Sequence, residues 1–166
     1  AVTMNEHDFI RLRVQLLAER TLGVYSVHGP AHWARVEQIG LRLCETTGAD
    51  RLVVRLFSLF HDCRRENDSE DPDHGRRGAE RARQLHGTHF MLGDEQLILL
   101  CRACEAHTDG KTTSDPTIGT CWDADRLDMP RVGIIPEPGY LSTAAARERE
   151  MIAWAVDLSW KKDERP

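Results

Sequence analysis

The sequence predicts an all-α protein, a single-domain bundle of about six to seven helices. Three observations predict it. Apolar residues recur at helical spacing along most of the chain, strands nowhere alternate with helices, and 166 residues suffice for one domain with a sizeable core. Hydrophobic residues make up 40% and charged residues 30%, a balance that sets a disordered chain aside.

Residues 5–22 open on Asn5 as an N-cap and carry Phe9, Ile10, Leu12, Val14, Leu16 and Leu17 before Gly23. His28-Gly29-Pro30 is a turn signal, with proline at a helix start. Residues 31–47 place Trp33, Val36, Ile39, Leu43 and Cys44 on one face, and Gly48 ends them. Residues 50–62 are apolar nearly all round, apart from Arg51, Arg55 and Ser58. Their length and the lack of strand partners favour a central buried helix over a strand.

Cys63 to Asp73 is polar, closes on Asp71-Pro72 and reads as an exposed loop. Helices follow over 74–86 and 94–107, the second with Leu97, Ile98, Leu100, Cys101 and Cys104 on its apolar side. A Thr/Ser/Gly/Pro-rich loop spans 108–119, a short helix carries Trp122 to Leu127, and Val132 to Tyr140 is irregular. The last helix, 143–160, is amphipathic through Ala146, Met151, Trp154, Val156 and Leu158. With the first helix it either covers the bundle or offers a homodimer face. The tryptophans sit among apolar neighbours at helical spacing, which assigns them to packing rather than base stacking.

A net charge of −5 argues against a nucleic-acid duplex as partner. It leaves small anionic substrates open, because a metal ion and a few arginines can reverse the field inside a cleft. No stretch approaches the roughly 20 apolar residues of a membrane span, and the start lacks the basic-then-apolar order of a signal peptide. Cys44, Cys63, Cys101, Cys104 and Cys121 are odd in number and lack a disulfide-framework spacing, so reduced thiols and a cytoplasmic location are expected. Cys101 and Cys104 form a lone CxxC on an apolar helix face, which argues against a zinc or redox site.

The chemistry concentrates in histidines and aspartates. His32 lies near the start of the second helix, His61-Asp62 ends the third, His74 and His107 lie on later helices, and Asp125 sits in Asp123-Ala124-Asp125-Arg126-Leu127. Neutral imidazoles and carboxylates together suit divalent first-row metals. A charged Asp62 at the end of a buried helix needs a cation, a helix to cap, or a partner such as Arg64 or Arg65. His74 also fits a plain helix start, and His107 a helix C-terminus favoured by the dipole.

His32, then His61-Asp62, then Asp125 in an Ala-Asp-Arg-Leu context resembles the H…HD…D signature of HD-superfamily metal-dependent phosphohydrolases. His32-Trp33-Ala34-Arg35-Val36 looks like the superfamily's first motif, and Leu56 to Asp62 like its apolar second. The segments HGPAHWARV, HDCRREND, DPDHGRRGA, EAHTDG and DPTIGTCWDADRLD resemble a group of small bacterial HD proteins. The resemblance implies an HD-type bundle over 1–166, with a motif-bearing core at about 28–129 and helical extensions packed on it.

It also implies His32, His61, Asp62 and Asp125 as ligands of one divalent ion (Mn, Fe, Ni, Co, Zn or Mg). Asp62 would be able to bridge to a second ion, held by His74 and His107. Arg64-Arg65-Glu66-Asn67-Asp68 replaces the Gly-Lys that follows HD in many relatives, so their substrates, cyclic dinucleotides included, do not transfer. Arg64 and Arg65 offer guanidiniums to phosphate oxygens, Arg35 and Lys111 are further candidates, and Glu66 or Asp68 is a candidate base or water-orienting group. The function so implied is metal-assisted hydrolysis of a phosphate ester, a nucleotide or another small phosphorylated metabolite. The alternatives are a di-iron oxygenase, which resembles inositol oxygenases in its four histidines and two aspartates, and a non-catalytic metal- or nucleotide-binding module.

Overall fold

The computed structural model describes residues 3–161, which form eight α-helices and two short 3-10 turns with no β-sheet among the described residues. The α-helices are α1 (Glu6–Ala18), α2 (Pro30–Thr47), α3 (Arg51–Phe60), α4 (His74–Leu85), α5 (Asp94–Ala106), α6 (Pro116–Arg126), α7 (Ala144–Arg147) and α8 (Arg149–Trp160). The 3-10 turns are Met129–Val132 and Pro138–Tyr140. No helix is long and apolar enough to cross a membrane.

One aspartate sets the helix register. Asp50 Oδ1 accepts from the Val53 N–H at 3.0 Å and so caps α3. Its Oδ2 accepts from Gln96 Nε2 in the first turn of α5 at 2.8 Å, and its own N–H donates to Thr117 Oγ1 in the first turn of α6 at 3.0 Å. The N-termini of α3, α5 and α6 are thereby gathered at one end of the bundle. Eleven residues, about three turns or 16 Å of helix, separate Asp50 from His61 and Gln96 from His107. The C-terminal ends of these helices therefore meet at the opposite end. α2 and α4 run back against them, so His32 and His74, in their first turns, arrive at that same end.

Burial matches the apolar pattern closely at α3, where Val53, Val54, Leu56, Phe57, Leu59 and Phe60 are all buried. In α1 only Phe9, Leu12 and Leu16 are buried, and Ile10 and Val14 of the expected stripe face water. α4 approaches through glycines. A Cβ on Gly75 would lie 2.2 Å from the Cys104 carbonyl oxygen, and one on Gly78 would lie 2.2 Å from that of Phe60. No larger side chain lets α4 come so near the ends of α3 and α5.

The boundaries depart from expectation in three places. α1 stops at Ala18, not residue 22, because the next residue, Glu19, is drawn to Arg81 of α4. The expected loop 108–119 is helical from Pro116, since Asp115 caps the Ile118 N–H at 2.8 Å and proline is suited to the first turn. The expected helix 143–160 breaks at Glu148 (ψ 133°), so that Ala146 of α7 and Ala155 of α8 both reach the core. Trp33, Trp122 and Trp154 pack as expected, whereas Trp160 is largely exposed and donates to the Pro130 carbonyl at 3.2 Å.

Asp50→Ala removes the cap of α3 and the tie to α5 together. We expect it to lower stability by about 1–3 kcal/mol in urea unfolding, and Gln96→Ala to cost about 1–2 kcal/mol, because Gln96 also accepts from the Gly93 N–H at 2.9 Å at the start of α5.

Candidate metal centre

At the end opposite Asp50, four imidazoles and two carboxylates converge. His61 follows the last turn of α3, and its backbone N–H still donates to the Phe57 carbonyl at 3.0 Å. His107 holds the same position after α5, and Asp125 lies in the last turn of α6. His32, His61, Asp62, His74 and His107 are all buried, while Asp125 is partly exposed.

The six side chains form two groups that share Asp62. His32 Nε2 lies 3.1 Å from His61 Nε2 and 3.1 Å from Asp125 Oδ1; Asp62 Oδ2 is 3.5 Å from the first and 3.4 Å from the second. In the other group His74 Nε2 lies 2.9 Å from His107 Nε2, with Asp62 Oδ1 at 3.3 and 3.6 Å. One carboxylate thus turns one oxygen to each histidine pair.

The far side of each ring explains the near side. His61 Nδ1 donates to the Phe57 carbonyl at 2.9 Å, His107 Nδ1 to that of Cys104 at 2.7 Å, and His74 Nδ1 to that of Asp71. His32 Nδ1 donates to Asp128 Oδ2 at 2.6 Å. These partners only accept, so every Nδ1 carries a proton, and each ring, when neutral, presents its lone pair at Nε2. Two pairs of lone-pair nitrogens at 2.9 and 3.1 Å, facing carboxylate oxygens, need positive charge between them. Three helix C-termini aimed at the same place add to that demand.

An HD-domain family model matches residues 31–153, well over half of the chain. The chain belongs to the HD-domain family. No curated protein and no solved structure matches it significantly. HD domains bind divalent metals and are typically metal-dependent phosphohydrolases. The donor set fits such an ion: His32, His61 and Asp62 form one group whose ligand atoms lie within 4.8 Å of one another, and Asp62, His74 and His107 form another.

The HD site is strongly coupled. Burial lowers the basicity of His61, but the Asp62 charge and hydrogen bonds to Asp125 and Asp62 outweigh it and raise its pKa to about 10. Burial opposes ionisation of Asp62; the His61 charge and hydrogen bonds from His107, His28 and His32 nonetheless hold it well below the usual carboxylate range. Asp125 is held low against burial by hydrogen bonds from His32 and His61.

Around this core the expected residues divide. Arg65 donates to Asp62 Oδ1 at 3.3 Å and lines the mouth of the site. Arg64 points to Glu19, 3.5 Å away, and Glu66 is 71% exposed and 3.8 Å from Arg77, so neither faces the mouth. The physical reason is the turn at Asp62–Arg65, which sends successive side chains in opposite directions. Asp68 accepts from Ser26 Oγ and lies outside the mouth; Lys111 lines the neighbouring cavity instead. Arg35 sits behind the site, donating to Asp128 Oδ1 at 2.7 Å.

Sequence reasoning missed several residues here. His28, read only as part of a turn signal, places Nδ1 3.1 Å from Asp62 Oδ2 and lines the mouth with Thr108, Arg126 and Arg131. Asp128, fully buried, holds His32 on one oxygen and takes Arg35 and Ser159 Oγ (2.6 Å) on the other. Its signal was its place one turn beyond Asp125.

Two predictions follow from this geometry. Without a metal, a protonated His61 contributes stability that is fully present below its ordinary value of 6.5 and is lost as the pH rises through about 10. A divalent ion displaces that proton. Affinity for the ion should therefore weaken as the pH falls, about tenfold per unit for each proton displaced. Calorimetry in buffers of different ionisation enthalpy reads the released proton, and heats independent of buffer at neutral pH would contradict this. Asp128→Asn should weaken metal binding by about 10- to 100-fold in a chelator competition while the protein stays folded.

Proposed function

We propose that this HD domain is a metal-dependent phosphohydrolase acting on a phosphate ester. His32, His61, Asp62 and Asp125 hold one divalent ion, and Asp62, His74 and His107 hold a second. The observation that carries this reading is the pair of facing Nε2 groups, each closed by a different oxygen of Asp62. Imidazole-rich donors favour first-row transition ions over Mg. Residues 1–166 are taken to work as one unit, because Ser159 of α8 donates to Asp128 behind His32.

Ions held by these residues would supply Lewis acidity toward water and the phosphoryl oxygens. The chain's own residues do the rest. Arg65, Arg126 and Arg131 place three guanidiniums around the mouth, and their charge attracts and orients a phosphate. Arg131 is held for this by donating to the carbonyls of Val27 at 2.8 Å and Asp128 at 2.9 Å. The hydroxyl of Thr108 is a neutral donor at the same opening. His28, outside both groups, is placed to deliver a proton to the departing oxygen.

The four imidazoles and two carboxylates also suit a pair of irons and hence an oxygenase. The guanidinium-lined mouth favours phosphate chemistry. The decisive measurement is phosphate release from a panel of esters under strictly anaerobic conditions with Mn or Co. Release under those conditions supports hydrolysis; its absence, with oxygen uptake by the iron-loaded protein, overturns it. Asp62→Ala should lower the rate by on the order of a thousandfold and bind less metal while remaining folded, and an unfolded variant would indicate a structural metal instead.

A further inference from the structure

Beside the mouth of the metal centre lies a second, larger cavity that a phosphate group alone does not fill. The mouth encloses 190 Å³ and shares Thr108, Arg126 and Met129 with an adjoining cavity of 730 Å³. The latter is the size of a site for an organic molecule, about 300–1,000 Å³. Ile134, Ile135 and Tyr140 line it, with the charged Asp109, Lys111 and Glu137 also on its walls. Ile134 is 49% exposed, Ile135 51% and Tyr140 67%, so a run of large apolar groups faces water beside a charged site. Such a patch is unfavourable in solution unless something covers it.

The cavity is also held open by the chain itself. Arg126 donates to the carbonyls of Lys111 (2.5 Å), Tyr140 (2.8 Å) and Gly110, which pins the loop after α5 and the segment 134–140 on either side. Gly110 is pressed on Trp122 so closely that a Cβ would meet the indole ring at 2.5 Å. The walls are preformed beside the mouth of the metal centre.

We infer that the substrate is a phosphate ester whose alcohol part is a bulky, largely apolar group, seated against Ile134, Ile135 and Tyr140 while its phosphate lies at the metal centre. This rests on the phosphohydrolase reading. Water adds to phosphorus, the bond from phosphorus to the ester oxygen breaks, the departing oxygen takes a proton from His28, and His28 is reprotonated by the proton the water gives up. The apolar alcohol is one product and inorganic phosphate the other. A small, fully polar phosphorylated metabolite would leave the apolar wall uncovered.

The test separates the cavity from the chemistry. Calorimetry on the manganese-loaded protein compares two phosphonates that cannot be hydrolysed, 1-naphthylmethylphosphonate and methylphosphonate. The naphthyl compound should bind at least about tenfold more tightly. Ile135→Ser and Tyr140→Ala, both neutral changes at exposed positions, should each reduce that advantage and leave methylphosphonate binding unchanged. Equal affinities, no binding of either compound, or an advantage that survives both substitutions would overturn the inference. In parallel, phosphate release is followed from 1-naphthylmethyl phosphate and glycerol phosphate, two alkyl esters whose departing alcohols are of similar acidity. Preferred release from the naphthyl ester supports the inference, and equal release from both overturns it while leaving hydrolysis standing. A naphthyl binding preference with no release from either ester supports the apolar seat and removes the hydrolase reading.

Discussion

A single buried carboxylate governs this end of the molecule. Asp62 lies between two histidine pairs with one oxygen turned to each, and it stays ionised although burial opposes that. An isolated carboxylate in such surroundings would be neutralised, because the loss of hydration costs several kcal/mol. Positive charge must therefore accompany it, either protons on the imidazoles or cations between them. The elevated basicity of His61 is the first solution, and the donor geometry supplies the second. Both draw on the same nitrogen lone pairs, which makes metal and proton competitors for one site.

Holding those lone pairs in place is a task for the whole bundle. The cluster draws on the C-terminal ends of α3, α5 and α6 and the N-terminal ends of α2 and α4. A slip of one residue along any helix would rotate its donor by about 100° and move it 1.5 Å along the axis. Asp50 prevents that slip from the far end, where it touches the first turns of α3, α5 and α6. Gly75 and Gly78 let α4 close on the ends of α5 and α3. The carbonyls of Phe57, Asp71 and Cys104, with Asp128, then fix each ring's rotation and tautomer.

Much of this was legible in the sequence, and what escaped did so for physical reasons. His61-Asp62 stood out because a charged residue at the end of an apolar helix demands explanation, and His32 and Asp125 because the ordered set resembles a family pattern. His74 and His107 were legible as histidines at helix boundaries. Their pairing was not, since it depends on how closely α4 approaches α5 through glycine. Asp128 and His28 were hidden because each has a bland local reading, a helix-end acid and a turn residue. The split between Arg64 and Arg65 depends on a turn whose rotation no periodicity encodes. Composition misled at α6, where threonine and glycine suggested a loop although Asp115-Pro116 announced a helix start.

The division of labour along the chain follows from the same physics. Donors that must hold position to a fraction of an ångström come from helix ends, whose backbone hydrogen bonds and packing leave them little freedom. The wall that would select a substrate comes from the loop after α5 and from residues 129–140, where glycines and prolines suppress helix periodicity and leave apolar side chains in water. Arg126 joins the two. It follows Asp125 directly in α6, and its guanidinium binds the carbonyls of both wall segments. A displacement of that wall therefore acts on the residue next to Asp125, a carboxylate of the histidine cluster. Under the proposed function, selectivity and chemistry would be set by different parts of the chain, yet one turn of helix would carry both.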